Sequence, residues 1–316
     1  MIRHPLIGLF IYVKYDFINY NNVMTKAIEI KDFKKHFGRL HAVDGINLDV
    51  EKGEIFGFLG PNGAGKSTTI RCLMGFNKPT SGRISVFGHD MANDSTLAKK
   101  QIGYLPGNIK LYDSWTGWDH IRFFENVRGK SKNIDDLIKR FDFNPNAKFR
   151  HLSSGNKQKL GLILALMNEP KLLVMDEPTV GLDPLLQYEI HKILLEMRDR
   201  GTTIFISSHN LPEVEQLCSR VAIIKNGKLI TVETVKSLVE KKMHKIEVRF
   251  KDKYNECEFA GIEDINLEKI DKGFLITASG DFNPILSVIA KHEVSDLEVT
   301  HASLEDVFMK FYERTK

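Results

Sequence analysis

One short segment combines a flexible backbone, a cation and hydroxyl groups in an order suited to binding a polyphosphate. Its residues, here called the phosphate loop, are Gly60, Pro61, Asn62, Gly63, Ala64, Gly65, Lys66, Ser67 and Thr68. Glycines at this spacing let the backbone curve around a ligand, so that successive N–H groups face an anion. Lys66 would reach the β- and γ-phosphates, and the Ser67 hydroxyl would be a ligand of Mg²⁺.

Two carboxylates and one histidine follow apolar segments further along the chain. Asp176 and Glu177 come directly after the apolar run 172–175. Carboxylates at the end of a buried strand are costly unless they face a cation or a reacting group. Beside a phosphate loop, Asp176 is predicted to be a ligand of Mg²⁺ and Glu177 a general base. His209 follows the run 203–207, at a strand end of the kind where α/β sheets bind ligands.

The segments around these groups have patterns that could hold them in place. Residues 55–59, which precede the phosphate loop, are nearly all apolar, which is typical of a strand buried on both faces. Apolar residues recur at helical spacing after the loop, so the loop would open a helix whose N-terminus adds a partial positive charge. Asn210 and Glu213 predict an N-cap and a capping box for a helix that follows His209.

Composition and charge limit the kind of protein that this chain can be. Its 316 residues leave room for one large domain and a smaller one, and a net charge of +4 gives no strong attraction to nucleic acid. Cys72, Cys218 and Cys257 are far apart in the sequence, which favours a reducing compartment over a disulfide framework or a zinc site. The longest apolar runs, 6–13 and 160–167, are too short to span a bilayer.

The pattern of elements divides the chain into three parts. Residues 1–24 are aromatic-rich and irregular, and we expect a dispensable extension or an upstream start codon there. Residues 25–238 predict an α/β domain with a mostly parallel core sheet, an antiparallel β subdomain, and a helical subdomain at about 95–165. After a polar hinge, residues 243–316 predict a small α+β accessory domain.

Together these motifs resemble the P-loop ATP-binding subunit of an ABC transporter over residues 25–235. The residues that resemble the family's signature loop, just ahead of a helix, are Leu152, Ser153, Ser154, Gly155 and Asn156. Residues 180–183 resemble the D-loop, which ends at Asp183, and His209 resembles the switch histidine. Phe37 falls where the family places an aromatic ring against adenine. The C-terminal segment 302–308 is similar to tails on subunits of ABC-type exporters.

The resemblance implies a mechanism as well as a fold. ATP with Mg²⁺ would be sandwiched in a head-to-tail homodimer, between the phosphate loop of one chain and Ser154 and Gly155 of the other. Lys66, Glu177 and His209 would be the catalytic residues. Dimer closure would drive separately encoded membrane-spanning permease subunits, so the chain would lie at the cytoplasmic face of the cell membrane. No nucleic acid is expected as a partner.

The chain departs from the family pattern at two places. The family's Q-loop glutamine should follow the segment 104–106, but Gly107 occupies that position and Asn108 follows it. Glycine has no side chain to contact Mg²⁺, so Asn108 would have to substitute for the glutamine. The signature loop has Ser154 and Asn156 where the family usually has glycine and glutamine, and its backbone donors are unaffected by these changes.

Two other functions remain open from the sequence alone. The first is an ABC ATPase that acts on ribosomes or nucleic acid; its ribosomal members carry two nucleotide-binding domains, and its DNA-repair members carry long coiled coils. The second is an adaptor that binds ATP without turnover. The presence of Glu177 and His209 argues against the adaptor.

Overall fold

The computed structural model describes residues 26–240, 243–251, 254–263, 265–279 and 281–301. The strands are β1 (Lys26–Phe37), β2 (Leu40–Glu51), β3 (Ile55–Leu59), β4 (Ser81–Val86), β5 (His89–Asp90), β6 (Ile102–Leu105), β7 (Leu172–Asp176), β8 (Thr203–Ser208), β9 (Arg220–Lys225), β10 (Lys228–Thr234), β11 (Met243–Phe250), β12 (Ile265–Ile270), β13 (Gly273–Ser279) and β14 (Val294–His301). The helices are α1 (Lys66–Leu73), α2 (Ser95–Lys99), α3 (Gly117–Arg128), α4 (Ile134–Arg140), α5 (Ser154–Leu166), α6 (Pro184–Asp199), α7 (Leu211–Leu217), α8 (Val235–Glu240) and α9 (Asn283–Ile289).

A six-stranded, mostly parallel sheet forms the centre of the fold, with the strand order β10-β9-β3-β8-β7-β6. Strands β3, β7 and β8 are buried along their whole length, as their apolar sequences predict. Only the β9–β10 pair is antiparallel among the pairs of this sheet. Its turn has Asn226 at φ 48° and Gly227 at φ 76°, the backbone that a tight two-residue hairpin requires. The parallel strands therefore present their carboxyl ends at one edge.

One strand of this sheet lies inside the range that was predicted to be helical. Strand β6 pairs in parallel with β7, with Ile102 opposite Leu172. It was missed because a four-residue strand is too short to show a period in the sequence. The helices α3, α4 and α5 follow it, and Thr116 starts α3 in a capping box with Asp119. The loop that contains Gly107 therefore leaves directly from the central sheet.

An antiparallel sheet, in the order β2-β1-β4-β5, covers helix α1 and one face of the central sheet. Its inward side chains share one buried cluster with the two neighbouring layers, including Ile28, Val50, Phe56, Ile70 and Leu73. Alternation of apolar and polar residues along β1 and β2 predicts this arrangement. The start of α1, and with it the phosphate loop, is thereby held between two sheets.

The C-terminal part contains a third sheet, in the order β12-β13-β11-β14, with its own buried cluster around Ile246, Val248, Phe274 and Ile285. Its four strands and helix α9 give this part the mixed α+β composition that the sequence predicts. The extension at 1–24 and the segment 302–308 lie outside the described residues. Within the part that the structure describes, no helix has the length and apolar character to cross a bilayer.

An ion-pair cluster joins α4 to α6. Arg140 Nε lies 2.6 Å from Glu189 Oε1, and its two terminal nitrogens lie 2.7 and 3.1 Å from the two carboxylate oxygens of Glu196. The Arg140 side chain is about four-fifths buried, with 19% of its surface exposed. Hydrogen bonds from Arg140 hold the pKa of the Glu196 carboxyl below its usual range. This cluster therefore joins α4, in the helical segment, to α6, which begins directly after Asp183.

We expect Arg140→Met to lower the free energy of unfolding by roughly 1 to 3 kcal/mol near pH 7, since charge-assisted hydrogen bonds are lost. The pKa of Glu196 is lower in the folded than in the unfolded protein. The stabilisation by Arg140 is therefore fully present above the unfolded pKa of about 4.3. It is lost as pH falls through the folded pKa. Urea unfolding of wild type and variant across about pH 2 to 7, which covers the range below the unfolded pKa, tests this, with Arg198→Met as control. A difference that does not shrink toward acid would contradict it.

The three cysteines are expected to differ sharply in reactivity. Cys72 and Cys218 are buried, while Cys257 is exposed. Burial raises the pKa of Cys72 to about 11, and burial together with nearby Glu213 and Glu54 raises that of Cys218. Because the thiolate is the nucleophile, a maleimide at pH 7 should label Cys257 in the folded protein and the other two only after unfolding. Mass spectrometry of the labelled peptides, with Cys257→Ser as control, measures this; rapid native labelling of Cys218 would contradict it.

Candidate active site

The phosphate loop joins β3 to α1, and its backbone could be built only with glycine at key positions. Gly65, the residue before α1, has φ 114°, and a Cβ there would lie 2.6 Å from the Ala42 carbonyl oxygen. Gly63 also has a left-handed backbone, at φ 80°. A side chain at Gly65 would collide with the backbone, whereas one at Gly63 would have space but a strained backbone. The consecutive N–H groups at the start of α1 can therefore approach a ligand closely.

Lys66 is buried beneath the loop, with 6% of its surface exposed. Its ammonium group donates a hydrogen bond of 2.5 Å to the Gly60 carbonyl and lies 3.4 Å from the Pro61 carbonyl. It also lies 3.2 Å from Glu177 Oε1 in an ion pair. A buried ammonium group needs such partners because desolvation of an unpaired charge is costly. The structure thus brings Lys66 and Glu177 together, as the sequence predicted for one site.

Glu177 lies between two nitrogen partners. Its Oε1 faces Lys66, and its Oε2 lies 2.7 Å from His209 Nδ1. Its backbone has φ 54°, a left-handed conformation that costs a residue other than glycine roughly 1 to 3 kcal/mol. Its N–H donates to the Ser207 carbonyl at 3.1 Å. The strained turn directs the carboxylate out of the sheet edge, toward the phosphate loop, while the preceding residue stays in the strand.

Asp176 is that preceding residue, and it is 7% exposed. The Ser207 hydroxyl donates to its Oδ1 at 2.5 Å, so a neutral group is its hydrogen-bond donor and the negative charge is left for a cation to balance. The backbone of Gly107 lies against it, because a Cβ on that glycine would be 3.4 Å from Asp176 Oδ2. Carboxylate and hydroxyl oxygens suit Mg²⁺. Asp176 and Ser67 therefore have donor atoms that fit this ion.

A cavity of about 480 Å³ opens over the phosphate loop. The predicted site residues that line it are Pro61, Asn62, Gly63, Gly65, Lys66, Ser67, Thr68 and Glu177. The other lining residues were not predicted from the sequence; they are Leu40, His41, Ala42, Asn226 and Gly227. The β9–β10 turn is fixed to the loop by a hydrogen bond of 3.0 Å from the Gly227 N–H to the Ala64 carbonyl. The hairpin signal at Asn226 was visible in the sequence, but its contact with the phosphate loop was not.

Phe37 ends β1 beside this cavity, and 49% of its surface is exposed. Lys35 Nζ lies 4.8 Å from the centre of its ring. Leu40, its partner across the β1–β2 turn, is a lining residue of the cavity. Among the described residues, Phe37 itself is not one of the lining residues. An exposed ring at this place could stack on a flat base at the mouth of the cavity.

The signature loop and Asp183 each start a helix. The Ser153 hydroxyl accepts a hydrogen bond of 3.3 Å from the Asn156 N–H at the start of α5, and Ser154 is exposed. The Asp183 carboxylate accepts from the Leu186 N–H at 3.0 Å at the start of α6. Within the described part of the chain, the lining of the phosphate-loop cavity includes none of the signature residues. The Leu152 and Asn156 N–H groups are bonded within the chain, while the exposed Ser154 opens the helix on the side away from this chain's own phosphate-loop cavity.

Gln158 is another residue of the site region that no sequence motif indicates. It lies in the second turn of α5, and its Nε2 donates a hydrogen bond of 2.9 Å to the Pro178 carbonyl, directly after Glu177. The signature helix is thereby tied to the segment that contains the Glu177 carboxylate. A glutamine inside a helix has no pattern in the sequence that would reveal such a contact.

Comparison with known proteins identifies the family. A family model described as ABC transporter matches residues 43–180. An ABC transporter ATP-binding protein of Bacillus subtilis, YhcH, is 32% identical over 93% of this chain and 98% of the relative. The linearmycin resistance ATP-binding protein LnrL of Bacillus subtilis is 31% identical, over 91% and 99%. The bacitracin transport ATP-binding protein BcrA of Bacillus licheniformis is 32% identical, over 91% and 97%.

Solved structures agree with this assignment. The ATP-binding subunit of an ABC transporter superposes with a TM-score of 0.64 at 29% identity, covering 68% of this chain and 92% of that one. A dimeric ATP-binding cassette in a post-hydrolysis state with ADP and Pi has the same fold, with a TM-score of 0.60 at 22% identity over 66% and 98%. The chain belongs to the family of ABC transporter ATP-binding proteins, and it binds and hydrolyses ATP.

Proposed function

We propose that this chain powers an exporter as its ATPase subunit, at the cytoplasmic face of the membrane and together with separately encoded permease subunits. The observation that supports hydrolysis most directly is the Glu177 carboxylate, held between Lys66 and His209 at the end of a buried strand. The direction of transport is supported by relatives named for linearmycin resistance and bacitracin transport, which align over nearly their whole length. We also propose that residues 1–24 are dispensable and that residues 243–316 form an accessory domain.

Each group at the site has a proposed role. Lys66 exchanges its contact with Glu177 for the β- and γ-phosphates of ATP, and the loop N–H groups bind the remaining phosphate oxygens. Glu177, released from the lysine, accepts a proton from the water that attacks the γ-phosphate. His209 holds Glu177 through Nδ1, at 2.7 Å, and its other ring nitrogen faces the transferred phosphate. Phe37 stacks on adenine.

Mg²⁺ is the metal ion that we propose for this site, with Ser67 and Asp176 as its protein ligands. The ion would neutralise charge on the phosphate oxygens when bound. Asp176 is suited to this role because it is nearly buried and its hydrogen-bond donor is the neutral Ser207 hydroxyl.

A second copy of the chain completes the site in this proposal. The exposed helix start at Ser154 and Gly155 presents backbone N–H groups and the positive end of the α5 dipole, which suit the γ-phosphate of a partner's ATP. Asp183 lies at the start of α6 and would line the same interface. The dimer forms head to tail, so that each ATP contacts the phosphate loop of one chain and the signature loop of the other.

The permease is proposed to dock in a mainly apolar cavity of about 290 Å³ between the central sheet and the helical segment. Its walls include Phe76, Tyr104, Ile109, Leu111 and Phe124. Its lining includes Pro106 and Ile109 on either side of Gly107, which packs against Asp176. A short apolar segment of a membrane subunit seated here would therefore sense the nucleotide site through the backbone of this loop, with Asn108 in place of the family's glutamine.

A purification in mild detergent tests the permease partner. Tagged wild-type chain from its own host cells should bring down a polytopic membrane protein, and that protein should stimulate ATP hydrolysis. Phe76→Asp places a charge in the cavity at a side chain that is 58% exposed, so it should lose the partner while basal hydrolysis stays intact. Leu97→Asp, at a side chain that is 50% exposed and outside the cavity lining, is the control. Recovery of ribosomal proteins or nucleic acid instead would favour the alternative function.

A further inference from the structure

A buried polar cluster lies behind His209, on the side away from the phosphate loop. Its centre is Glu213 in α7, of which 3% is exposed. The Ser208 hydroxyl donates a hydrogen bond of 2.9 Å to Glu213 Oε2. His191 Nε2, from α6, lies 3.5 Å from Glu213 Oε1. A carboxylate this far from water is costly to bury unless it is paired or hydrogen-bonded, and the Ser208 hydroxyl supplies one such bond.

The Glu213 side chain does not form the hydrogen bond that the sequence predicts for it. Asn210 does cap α7, since its side chain accepts from the Glu213 N–H at 3.4 Å. The predicted capping box is absent from this described helix start, because the Asn210 N–H donates to the Ser208 hydroxyl at 2.9 Å instead. The carboxylate of Glu213 is bonded to that same hydroxyl. The prediction of a capping box was therefore wrong, and the carboxylate serves the turn around His209.

We propose that Glu213 is a positioning residue for ATP hydrolysis, acting through Ser208 on His209. Ser208 precedes His209, and its hydroxyl bonds to residues that follow the histidine. It accepts from the Asn210 N–H and donates to Glu213. This pair of bonds fixes the turn in which His209 Nδ1 meets Glu177 Oε2 at 2.7 Å. The proposal rests on the proposed role of His209 and goes further, because it names the group that sets the direction of this histidine.

His191 connects the same cluster to the D-loop. It lies in α6, the helix that Asp183 caps. Among the described residues, His191 Nε2 and Glu213 Oε1 are buried atoms without a hydrogen-bond partner, and they face each other at 3.5 Å. A small approach of α6 to α7 would turn this contact into a hydrogen bond from the imidazole to the carboxylate. A movement of α6, the helix that follows the D-loop, would in this way shift Glu213 and the turn around His209.

The test uses a set of variants in the full chain and steady-state ATP hydrolysis. Glu213→Leu keeps the volume and removes the acceptor, so kcat should fall about 10- to 100-fold through misplacement of His209, while KM for ATP stays within about twofold. Glu213→Gln, whose carbonyl still accepts from Ser208, should restore most of kcat. Ser208→Ala should match Glu213→Leu, and the double variant should lose no more than either single one. Glu215→Leu, exposed on the same helix, is the control.

The outcomes separate this proposal from the proposed function. Unchanged kcat in Glu213→Leu, or a double variant whose loss is the product of the single losses, overturns the positioning role. If Glu213→Leu melts below the assay temperature, Ser208→Ala decides the question alone, and unchanged kcat there overturns the proposal. His209→Ala is measured in parallel. If it hydrolyses ATP normally, the role of His209 itself is wrong; if it fails while Ser208→Ala and Glu213→Leu do not, only the positioning role is wrong.

Discussion

Glu177→Gln is expected to lower the rate of ATP hydrolysis by a factor of about 10² to 10⁴ while leaving the protein folded and able to bind ATP. The loss corresponds to roughly 3 to 5 kcal/mol of activation free energy. Glutamine has the size and shape of glutamate, so it can still accept a hydrogen bond, but it cannot take a proton from water. Phosphate release under saturating ATP and Mg²⁺ measures the effect.

Binding should survive this substitution for a structural reason. Glu177 Oε1 lies 3.2 Å from the Lys66 ammonium, so the carboxylate competes with phosphate for the lysine, and its removal leaves Lys66 free for ATP. Glu169→Gln is a suitable control, because Glu169 also has a left-handed backbone, at φ 44°, but it is exposed and pairs with Arg200. Hydrolysis at the normal rate in Glu177→Gln would show that another group acts on the water.

Lys66→Ala should weaken ATP binding by about one to two orders of magnitude, because a charge-assisted contact to phosphate contributes about 1.5 to 3 kcal/mol. The loss should be at the upper end, since Lys66 is 6% exposed and its attraction to phosphate is little screened by solvent. Calorimetric titration with ATP measures the dissociation constant. Lys228→Ala removes an exposed charge next to Gly227 in the cavity lining and serves as control. Equal affinities for wild type and Lys66→Ala would refute the role of the phosphate loop.

The phosphate loop, the strand before it and the carboxylates at 176 and 177 could be predicted because their chemistry depends on residues that are adjacent in sequence. The left-handed backbone of Glu177 could not be predicted, since the surrounding structure and not the residue type imposes it. The same holds for His41 and for the turn at Asn226, which reach the loop from distant parts of the chain. Local sequence patterns do not show which distant residues lie beside the phosphate loop.

Glu213 and β6 show a second limit of sequence reasoning. The spacing of Asn210 and Glu213 predicts a capping box, and the Asn210 cap is present. The reciprocal bond is replaced, because the Ser208 hydroxyl accepts from the Asn210 N–H and donates to the Glu213 carboxylate. Strand β6 has too few residues to show a period, and its pairing with β7 is a tertiary contact. For β6 a partner elsewhere in the fold decides the structure, whereas at Glu213 a serine two residues before Asn210 competes for the predicted bond.

The claim that ATP is hydrolysed between two copies of this chain is tested most directly by the mass of Glu177→Gln in solution. With ATP and Mg²⁺, light scattering after size exclusion should give twice the monomer mass, because the closed dimer cannot turn over, and ADP should leave the monomer. Adding Ser154→Arg, which places a bulky side chain at the exposed start of α5, should abolish the dimer while each chain still binds ATP. A Glu177→Gln protein that stays monomeric with ATP, or a double variant that still dimerises, would contradict the account.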